Sequence, residues 1–501
     1  MKSPSDTAIV SANQSRSLPK FMGWLILFVF LTYVVYTMKL VSSSHACTQK
    51  SVLPAAHNRR NLRNITSGSP PFQNRTARIL PRLVRPVETY RTELKDIVFG
   101  IASSARVWEH RKNYIKLWWR PKEMRGTVWL DSPVPTQPDE GLPQVRVSGN
   151  VAPFTRPGGD PLPVRISRIV SESYRLGMRN VRWFVMGDDD TFFVTENLLR
   201  VLSKYNHNEF YYIGGQSESH LQNIFFSYNM AFGGGGFAIS YPLARALEAM
   251  QDKCLKRYTF LLASDDRIQA CMAELGTPLT KELGFHQYDL WGNIFGLLAA
   301  HPVAPLVTMH HLDLIDPIFP NLTRFEALQR LQLAISLDSA AIVQQSICYD
   351  SDRKWTISVA WGFAVQVFRG VLSPREIEMP SRTFLNWYKR TEFHSYAFNT
   401  RPVSRNPCQN PFVFYMSTAR MDSEIDQTVT EYSPFRESHP FCKWKMPDPA
   451  ELELVEVYKR PNPYLWARSP RRNCCRVLSS SNKTSLALHV GLCREGEVSE
   501  I

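Results

Sequence analysis

Three adjacent aspartates inside an apolar run constrain this chain more than any other feature of its sequence. Residues 183–195 read WFVMGDDDTFFVT, and the acids are Asp188, Asp189 and Asp190. Ionised neighbours repel one another, and their removal from water is costly unless a cation or a hydrogen-bonded partner compensates. The apolar flanks favour a buried strand over a solvated turn. We therefore expect a hard divalent cation here, Mg²⁺ or Mn²⁺, with coordination positions free for substrate phosphates.

An uncharged stretch near the N-terminus predicts a membrane anchor. Residues 21–38 form an apolar segment just long enough to cross a bilayer. Basic residues precede it and no cleavage pattern follows closely, which favours an uncleaved signal anchor with residues 1–20 in the cytoplasm and the body in the lumen. This is the topology of a single-pass type II protein. We expect the Golgi membrane, and the endoplasmic reticulum remains the alternative.

The cysteines and the glycosylation sequons agree with a lumenal body. All nine cysteines follow the apolar stretch, so disulfides are allowed, although their pairing stays open. Their odd number leaves one thiol over, and Cys47 could join two chains in a covalent homodimer. The sequons lie at Asn64, Asn74, Asn321 and Asn482.

Length and charge limit the class of protein. The chain has 501 residues, of which 44% are hydrophobic, so it can form a large core and more than one domain. Its net charge of +14 favours anionic ligands in general. We expect no nucleic-acid partner, because the basic residues are scattered and the body is lumenal.

Alternating strand and helix patterns predict an α/β domain at 95–324, after a flexible stem at 39–94 that is rich in Ser, Asn, Arg and Pro. Such an order predicts a mixed, mainly parallel sheet flanked by helices. Ligands bind at the carboxyl ends of the strands in these sheets, and the aspartate triplet falls at that place. Residues 325–501 contain six of the nine cysteines and alternating apolar segments, which predict a β-rich accessory domain tightened by disulfides.

Three further motifs follow the triplet along the chain. The four glycines at 233–236 suit a tight turn, or a close approach of backbone to a ligand. Asp265 and Asp266 stand at the start of a predicted helix, where capping is the structural explanation. His310 and His311 follow an apolar strand, and a strand directs neighbouring side chains to opposite faces, so only one would reach a shared site.

Two other pairs of residues have a functional and a structural interpretation. Trp118 and Trp119 could stack on a nucleotide base, but a helix that packs an aromatic face against the sheet is the better interpretation. His286 and Asp289 could line a substrate site, and satisfied polar residues in a loop are an equal alternative.

Taken in order, four motifs resemble the fringe-like β-1,3-glycosyltransferases of glycosyltransferase family 31, and most closely their plant fringe-related branch. They are MGDDDTFF at 186–193, GGGGFAIS at 233–240, SDDRI at 264–268 and MHHLD at 309–313. The resemblance covers about residues 95–320 and implies a GT-A fold, a UDP-sugar donor and Mn²⁺, with Mg²⁺ as the alternative. The fringe pattern has a histidine where this chain has Met309.

The resemblance also implies roles for the residues in these motifs. Asp188 and Asp190 would hold the metal, and Asp189 would contact the ribose or order the loop. His311 is the first choice for a third metal ligand, with His310 as its alternative. The backbone at Gly234, Gly235 and Gly236 would approach the donor sugar or the acceptor. Asp266 is the first choice for the general base, and Asp265 is the second.

The implied activity is that of an inverting, metal-dependent hexosyltransferase. It would move a sugar from a UDP-sugar to a hydroxyl of a glycan, glycoprotein or polysaccharide, forming a β-1,3 linkage. One alternative is a non-catalytic carbohydrate-binding or scaffold protein on the same fold, which would not need an intact base. A two-metal phosphohydrolase is disfavoured, because the sequence lacks the dispersed His and Asp ligands that such a site needs. The role of 325–501, either acceptor recognition or structural support, stays open.

Overall fold

The computed structural model describes residues 18–43, 91–436, 442–480 and 482–498. The chain forms two compact units, 1–83 and 84–501. In the first unit a helix, α1, runs over Leu18–Ser43. Within the described ranges, no helix is both long and apolar enough to cross a membrane. Cys47, Asn64 and Asn74 lie outside the described residues, and the proposed homodimer therefore stays a prediction.

Ten short strands occupy the first part of the second unit. They are β1 (Ile97–Ala102), β2 (Arg125–Leu130), β3 (Gln144–Val147), β4 (Trp183–Asp188), β5 (Phe192–Phe193), β6 (Tyr212–Gly214), β7 (Phe237–Ser240), β8 (Leu279–Lys281), β9 (Leu290–Gly292) and β10 (Thr308–Met309).

Seven of these strands form one mixed sheet in the order β3-β2-β1-β4-β7-β6-β8. Strand β7 is antiparallel to both of its neighbours, and the other pairs are parallel. Strands β1 and β4 are buried almost throughout, as expected for strands covered on both faces. They pair from Ile97–Trp183 to Ala102–Asp188, which sets the aspartate triplet at the carboxyl end of β4. The predicted α/β class, with a mixed and mainly parallel sheet, is confirmed.

Ten α-helices accompany the strands among the described residues of the second unit. They are α2 (Trp108–Trp118), α3 (Pro161–Ser167), α4 (Ile169–Arg175), α5 (Thr195–Leu202), α6 (His220–Phe225), α7 (Tyr241–Arg257), α8 (Ser264–Glu274), α9 (Phe295–Ala299), α10 (Arg324–Asp338) and α11 (Pro374–Ile377).

Two local expectations can be compared with these elements. The prolines at 132–163 predict a long surface loop, but this stretch contains the edge strand β3, whose side chains are largely exposed and therefore gave no apolar signal. At the end of α2, Trp118 and Trp119 are buried, and their rings lie 5.4 and 5.9 Å from that of Phe99 on β1. The packing interpretation of these tryptophans is therefore confirmed.

The remaining nine strands give residues 325–498 their predicted β-rich character. They are β11 (Gln345–Asp350), β12 (Trp355–Ala360), β13 (Ala364–Arg369), β14 (Phe384–Asn386), β15 (Phe412–Asp422), β16 (Gln427–Pro434), β17 (Leu454–Lys459), β18 (Cys474–Leu478) and β19 (Ser485–Gly491). Eight of them form one sheet in the order β11-β12-β13-β15-β16-β17-β19-β18. The ninth, β14, pairs with β9 of the preceding region. The two predicted domains thus lie in one compact unit, and the boundary at 324 stays a prediction.

Disulfides join elements that are distant in sequence. The described pairs are Cys254–Cys271, Cys348–Cys475, Cys408–Cys442 and Cys474–Cys493. The first of them links α7 to α8, the helix that begins with the predicted acid pair. Asn321 and Asn482 are exposed, and their glycosylation stays a prediction.

Candidate active site

Hydrogen bonds hold the turn that follows β4. The Asp188 backbone N–H donates to the Thr191 hydroxyl at 2.8 Å, and that hydroxyl donates to the Gly234 carbonyl at 2.7 Å. The Asp189 N–H donates to the carbonyl of Ala102, the last residue of β1, at 2.9 Å. The aspartate turn is therefore fixed both to the central sheet and to the glycine run.

Two aspartates of the triplet converge with one histidine. Asp188, Asp190 and His310 place one ligand atom each within 4.8 Å of one another, a group that could hold a metal ion. His310 Nε2 lies 3.6 Å from Asp188 Oδ2 and 3.3 Å from Asp190 Oδ1. The side chain of Asp188 is 33% exposed, whereas Asp190 and His310 are buried. We call these three residues the Asp–Asp–His group.

The chemistry of this group fits a divalent cation. Asp190 Oδ1 is buried and accepts no hydrogen bond from the described residues, so it has capacity left for a metal ion. Two carboxylates suit Mn²⁺ or Mg²⁺, and the imidazole favours a transition metal such as Mn²⁺ over Mg²⁺, with positions left for other ligands. The residues present therefore fit the metal that the sequence predicted.

Charge inside the group agrees with its geometry. Burial alone would raise the pKa of Asp190, but the neighbouring His310 and Arg111 hold that pKa well below its usual range. Burial opposes a charged His310, yet Asp190 and Asp188 raise the pKa of this histidine well above its usual value. The aspartates thus attract positive charge strongly, which a metal ion would supply in competition with the proton on His310.

The two adjacent histidines follow β10, and their rings lie 4.1 Å apart, so they do not alternate across a strand as expected. His311, the first choice for the third ligand, has a left-handed backbone with φ of 53°. Its Nδ1 lies 3.2 Å from Asp289 Oδ1, and its ring stacks on Trp387 at 5.4 Å. The structure therefore brings His310 to the aspartates, while His311 lies outside the group.

The glycine run makes room for protein side chains. A Cβ at Gly234 would lie 2.1 Å from Cε1 of His310, so the imidazole reaches the aspartates only because this residue is glycine. The Gly235 N–H donates to the Gln287 side chain at 2.6 Å. Gly236 has φ of 82°, a conformation that favours glycine. The space expected for a donor or acceptor is occupied at Gly234 by His310.

Asp189 is held by protein partners. Its Oδ2 accepts a 2.6 Å hydrogen bond from the Ser103 hydroxyl, and its Oδ1 accepts one of 2.9 Å from Arg111. Burial, together with the charge of Asp190, raises the pKa of Asp189 to about 7. Of its two expected roles, these contacts favour ordering of the loop over contact with a ribose.

Arg111 is a site residue that the sequence analysis missed. Its Nη1 lies 2.9 Å from Asp189 Oδ1 and 3.3 Å from Asp190 Oδ1, and its Nη2 lies 2.9 Å from Asp313 Oδ2. Tyr114 donates a 2.7 Å hydrogen bond to the same Asp313. Arg111 and Tyr114 are three residues apart on α2 and share a helix face. A basic residue on that apolar face was the signal in the sequence that could have identified Arg111 as a site residue.

The two acids at the start of α8 have different surroundings. Asp265 accepts a hydrogen bond from the Gly233 N–H, and burial raises the pKa of Asp265 to about 6, with a further contribution from the charge of Asp188. Asp265 also lines a small cavity together with Asp188 and Gly233. Asp266 is partly exposed, and burial raises its pKa while Arg267 opposes the rise. The structure thus brings Asp265 to the glycine run and leaves Asp266 partly open to solvent.

The other predicted pair is engaged in protein contacts. His286 Nδ1 lies 2.9 Å from Glu218 Oε1, and its Nε2 lies 2.9 Å from Nε2 of His301. Asp289 accepts a hydrogen bond of 2.5 Å from the Ser217 hydroxyl, in addition to its contact with His311. The interpretation of these two as satisfied polar residues is therefore favoured.

Two family models match the chain. The model described as "Protein of unknown function, DUF604" matches residues 222–475, about half of the chain. A Fringe-like model matches residues 92–291. The solved structure titled "Crystal structure of a glycosyltransferase involved in the glycosylation of the major capsid of PBCV-1" is similar over 46% of this chain and 97% of its own, at 10% identity and a TM-score of 0.26. A likeness of that size does not establish a shared fold.

The two matched ranges together contain the site. The Fringe-like range holds the aspartate triplet, the glycine run and the acid pair, while the DUF604 range adds His310 and Trp387. The order of the motifs, the metal-binding geometry and the matches agree. The chain belongs to the DUF604 family and is a fringe-like protein of glycosyltransferase family 31.

Proposed function

We propose that this protein is an inverting, metal-dependent hexosyltransferase of the GT-A type. It would transfer a sugar from a UDP-sugar to a hydroxyl of a glycan, glycoprotein or polysaccharide and form a β-1,3 linkage. The observation that carries this proposal is the Asp–Asp–His group at the carboxyl end of β4, in which the buried Asp190 Oδ1 accepts no hydrogen bond from the described residues. The β-1,3 linkage and the UDP donor rest on the fringe-like motifs.

The Asp–Asp–His group is the binding site in this proposal. Asp188, Asp190 and His310 would hold Mn²⁺, or Mg²⁺ in its place. The bound ion would offset the negative charge that develops on the departing diphosphate. Ser103 and Arg111 fix Asp189, so the turn that carries both carboxylate ligands is already ordered before the donor arrives.

Asp266 is the proposed base that removes the proton from the attacking acceptor hydroxyl. Asp265 already accepts a hydrogen bond from the Gly233 N–H, whereas Asp266 is partly exposed, so that an acceptor hydroxyl can reach its carboxylate. The Cys254–Cys271 disulfide fixes α8, which carries both acids, to α7. Asp265 remains the second choice.

We further propose a Golgi location for the body, on the lumenal side of a type II membrane protein. The disulfides support a compartment in which cysteines are oxidised. Fluorescence microscopy of the tagged full chain, with protease protection of isolated vesicles, tests this location. A protease-accessible body would contradict it.

The activity is tested by measuring UDP release from a panel of UDP-sugars with Mn²⁺ present, in wild type and in the Asp190→Ala and Asp266→Asn variants. The exposed Asp352→Asn serves as a matched control. We expect Asp190→Ala to lose donor binding, and Asp266→Asn to bind donor but to transfer poorly. Failure of the wild type to bind any UDP-sugar would contradict the proposal. Binding without transfer to any acceptor would favour the non-catalytic alternative.

The same measurements separate the individual assignments. Donor binding that is unchanged in Asp190→Ala would remove this residue from the metal site. Transfer that is unchanged in Asp266→Asn, but lost in Asp265→Asn, would move the role of base to Asp265.

A further inference from the structure

A strand from the C-terminal region is part of the surroundings of the site. Strand β14 pairs antiparallel with β9, so that Leu385 lies opposite Trp291. Trp387 follows β14 directly, and its carbonyl accepts a 3.0 Å hydrogen bond from the Trp291 indole N–H. This pairing fixes two tryptophans, one from each region, beside one another.

The two indoles lie next to the Asp–Asp–His group. Trp387 stacks on His311 at a ring distance of 5.4 Å and an interplanar angle of 22°. The His311 ring in turn lies 4.1 Å from that of His310, which belongs to the group. Trp291 lies 6.0 Å from Trp387 at an angle of 35°. The indole of Trp387 is thus separated from a proposed metal ligand by a single imidazole ring.

The turn after β14 holds Trp387 in place. The buried Asn386 side chain accepts hydrogen bonds of 2.9 Å from the N–H groups of both Tyr388 and Arg390. The Lys389 N–H donates to the Asn386 carbonyl at 2.8 Å, and Lys389 has a left-handed backbone with φ of 59°. Its ammonium group lies 4.2 Å from the centre of the Trp291 ring. These protein contacts fix the positions of the aromatic pair and its cation.

Exposure distinguishes these tryptophans from those of the core. Trp118, Trp183 and Trp361 are buried, whereas Trp291 and Trp387 each leave part of their surface open to solvent. Partly exposed aromatic rings beside a polar site provide flat apolar surface with little loss of side-chain freedom on binding. The C–H face of a pyranose ring matches such a surface, and its hydroxyls can accept hydrogen bonds from Lys389.

We propose that Trp387 and Trp291 form an acceptor platform on which a pyranose ring of the acceptor stacks. This proposal rests on the proposed function, because it assigns the acceptor side of that same site. It gives the C-terminal region a part in acceptor recognition, in which β14 supplies Trp387 and the following turn supplies Lys389.

A glycan array tests the platform directly. The full chain, with Mn²⁺ and UDP, is applied to an array of hexopyranose- and pentopyranose-terminated oligosaccharides. We expect the wild type to bind a subset of them, Trp387→Ala to lose at least about tenfold in affinity, and Trp387→Phe to keep most of it. Trp444→Ala, at an exposed tryptophan outside the platform, is the matched control and should bind as the wild type does.

A second measurement separates binding from structural support and from the proposed function. UDP–Mn²⁺ affinity, measured by calorimetry, should be equal in wild type and Trp387→Ala, whereas the KM for the array-positive sugar should rise with little change in kcat. A wild type that binds no glycan, a variant that binds as wild type does, or a parallel loss of UDP affinity in Trp387→Ala would overturn the platform. The proposed function fails separately, if the wild type binds no UDP-sugar.

Discussion

The Asp–Asp–His group and the buried pair Lys459–Asp338 deal with buried charge in different ways. Lys459 and Asp338 form a direct ion pair of one cation and one anion between the ends of β17 and α10. Asp338 also accepts a 3.0 Å hydrogen bond from the Asn462 N–H, and Lys459 donates to the Arg460 carbonyl at 3.2 Å. Every charge in this pair has a protein partner.

The Asp–Asp–His group is not balanced in this way. Asp190 is buried, its Oδ1 accepts no hydrogen bond from the part of the chain that the structure describes, and Asp188 adds negative charge beside it. Four carboxylates share two cations here, because Arg111 faces Asp189, Asp190 and Asp313, and His310, whose pKa is raised, faces Asp188 and Asp190. The comparison teaches that buried charge by itself does not mark a site, and that an unsatisfied excess of one sign does.

The largest effect is expected where a balanced pair is broken. Lys459→Met leaves Asp338 buried without its cation, and we expect it to lower the free energy of unfolding by about 3–5 kcal/mol. Denaturant unfolding measures this effect. The double variant Lys459→Met/Asp338→Leu should recover most of the loss, because neither charge remains. A single variant as stable as the wild type would show that this pair is not the balanced case.

Removal of a charge from the Asp–Asp–His group should change the response of the protein to metal. Asp190→Asn removes an anion that His310 and Arg111 stabilise, as its lowered pKa indicates, so the metal-free variant should be less stable than the metal-free wild type. At a Mn²⁺ concentration about 100 times its Kd, the wild type should gain about 2.7 kcal/mol and the variant almost nothing. Thermal unfolding with and without Mn²⁺ checks both statements, with Asp352→Asn as control. An equal response of both proteins to Mn²⁺ would refute the comparison.

A smaller effect is expected from the residue that makes room for His310. A Cβ at Gly234 would displace the imidazole, so Gly234→Ala should weaken Mn²⁺ binding about 10- to 100-fold. Calorimetric titration with Mn²⁺ measures this loss. At the neighbouring Gly235 the nearest atom to an added Cβ is at 3.1 Å, and Gly235→Ala should bind Mn²⁺ more tightly than Gly234→Ala does. Equal affinities would contradict the role of Gly234.

The smallest effect is expected at a buried acid that lies between these two cases, because it has a charged neighbour but one oxygen without a hydrogen bond in the described part of the chain. Glu172 is buried beside Arg168 at 3.6 Å, but its Oε2 has no hydrogen-bond partner among the described residues. Burial raises the pKa of Glu172 above its usual 4.5. Its contribution to stability is therefore fully present below about pH 4.5 and is lost as the pH rises through the raised pKa. We expect Glu172→Gln to gain stability relative to the wild type over that pH range.

Unfolding free energies measured at several pH values check this sign. The exposed Glu495→Gln, measured in the same way, separates the effect of the buried position from that of losing an acid. A Glu172→Gln variant that loses stability relative to the wild type as the pH rises would contradict the expectation.

Local sequence patterns were sufficient to predict much of the fold and part of the candidate site. The burial of WFVM and the alternation of strands and helices placed the triplet at the carboxyl end of β4, because these signals depend on neighbouring residues only. The sequence also predicted that one of the two histidines reaches the aspartates, but strand alternation is not the reason, because both residues follow β10 and their rings lie 4.1 Å apart. The choice of His310 could not be predicted, since contacts of His311 with Asp289 and Trp387 accompany its left-handed turn.

The parts of the fold and of the site that could not be predicted depend on contacts between residues distant in sequence. Arg111 reaches the triplet across 78 positions of sequence, and its own segment shows only a helical pattern. The same holds for Trp387, because the pairing of β14 with β9 leaves no periodic signal in either segment. The edge strand β3 is exposed, so its burial pattern could not identify it.

The pairing of β9 with β14 also limits how this protein can change during evolution. The Fringe-like match ends at 291, inside β9, while β14, the strand that pairs with β9, lies almost a hundred residues later. A recombination that brought in a new C-terminal half would have to supply a strand in the register of Leu385 with Trp291 and an aromatic ring to cover His311. We expect the two halves to be inherited together and to diverge as one unit.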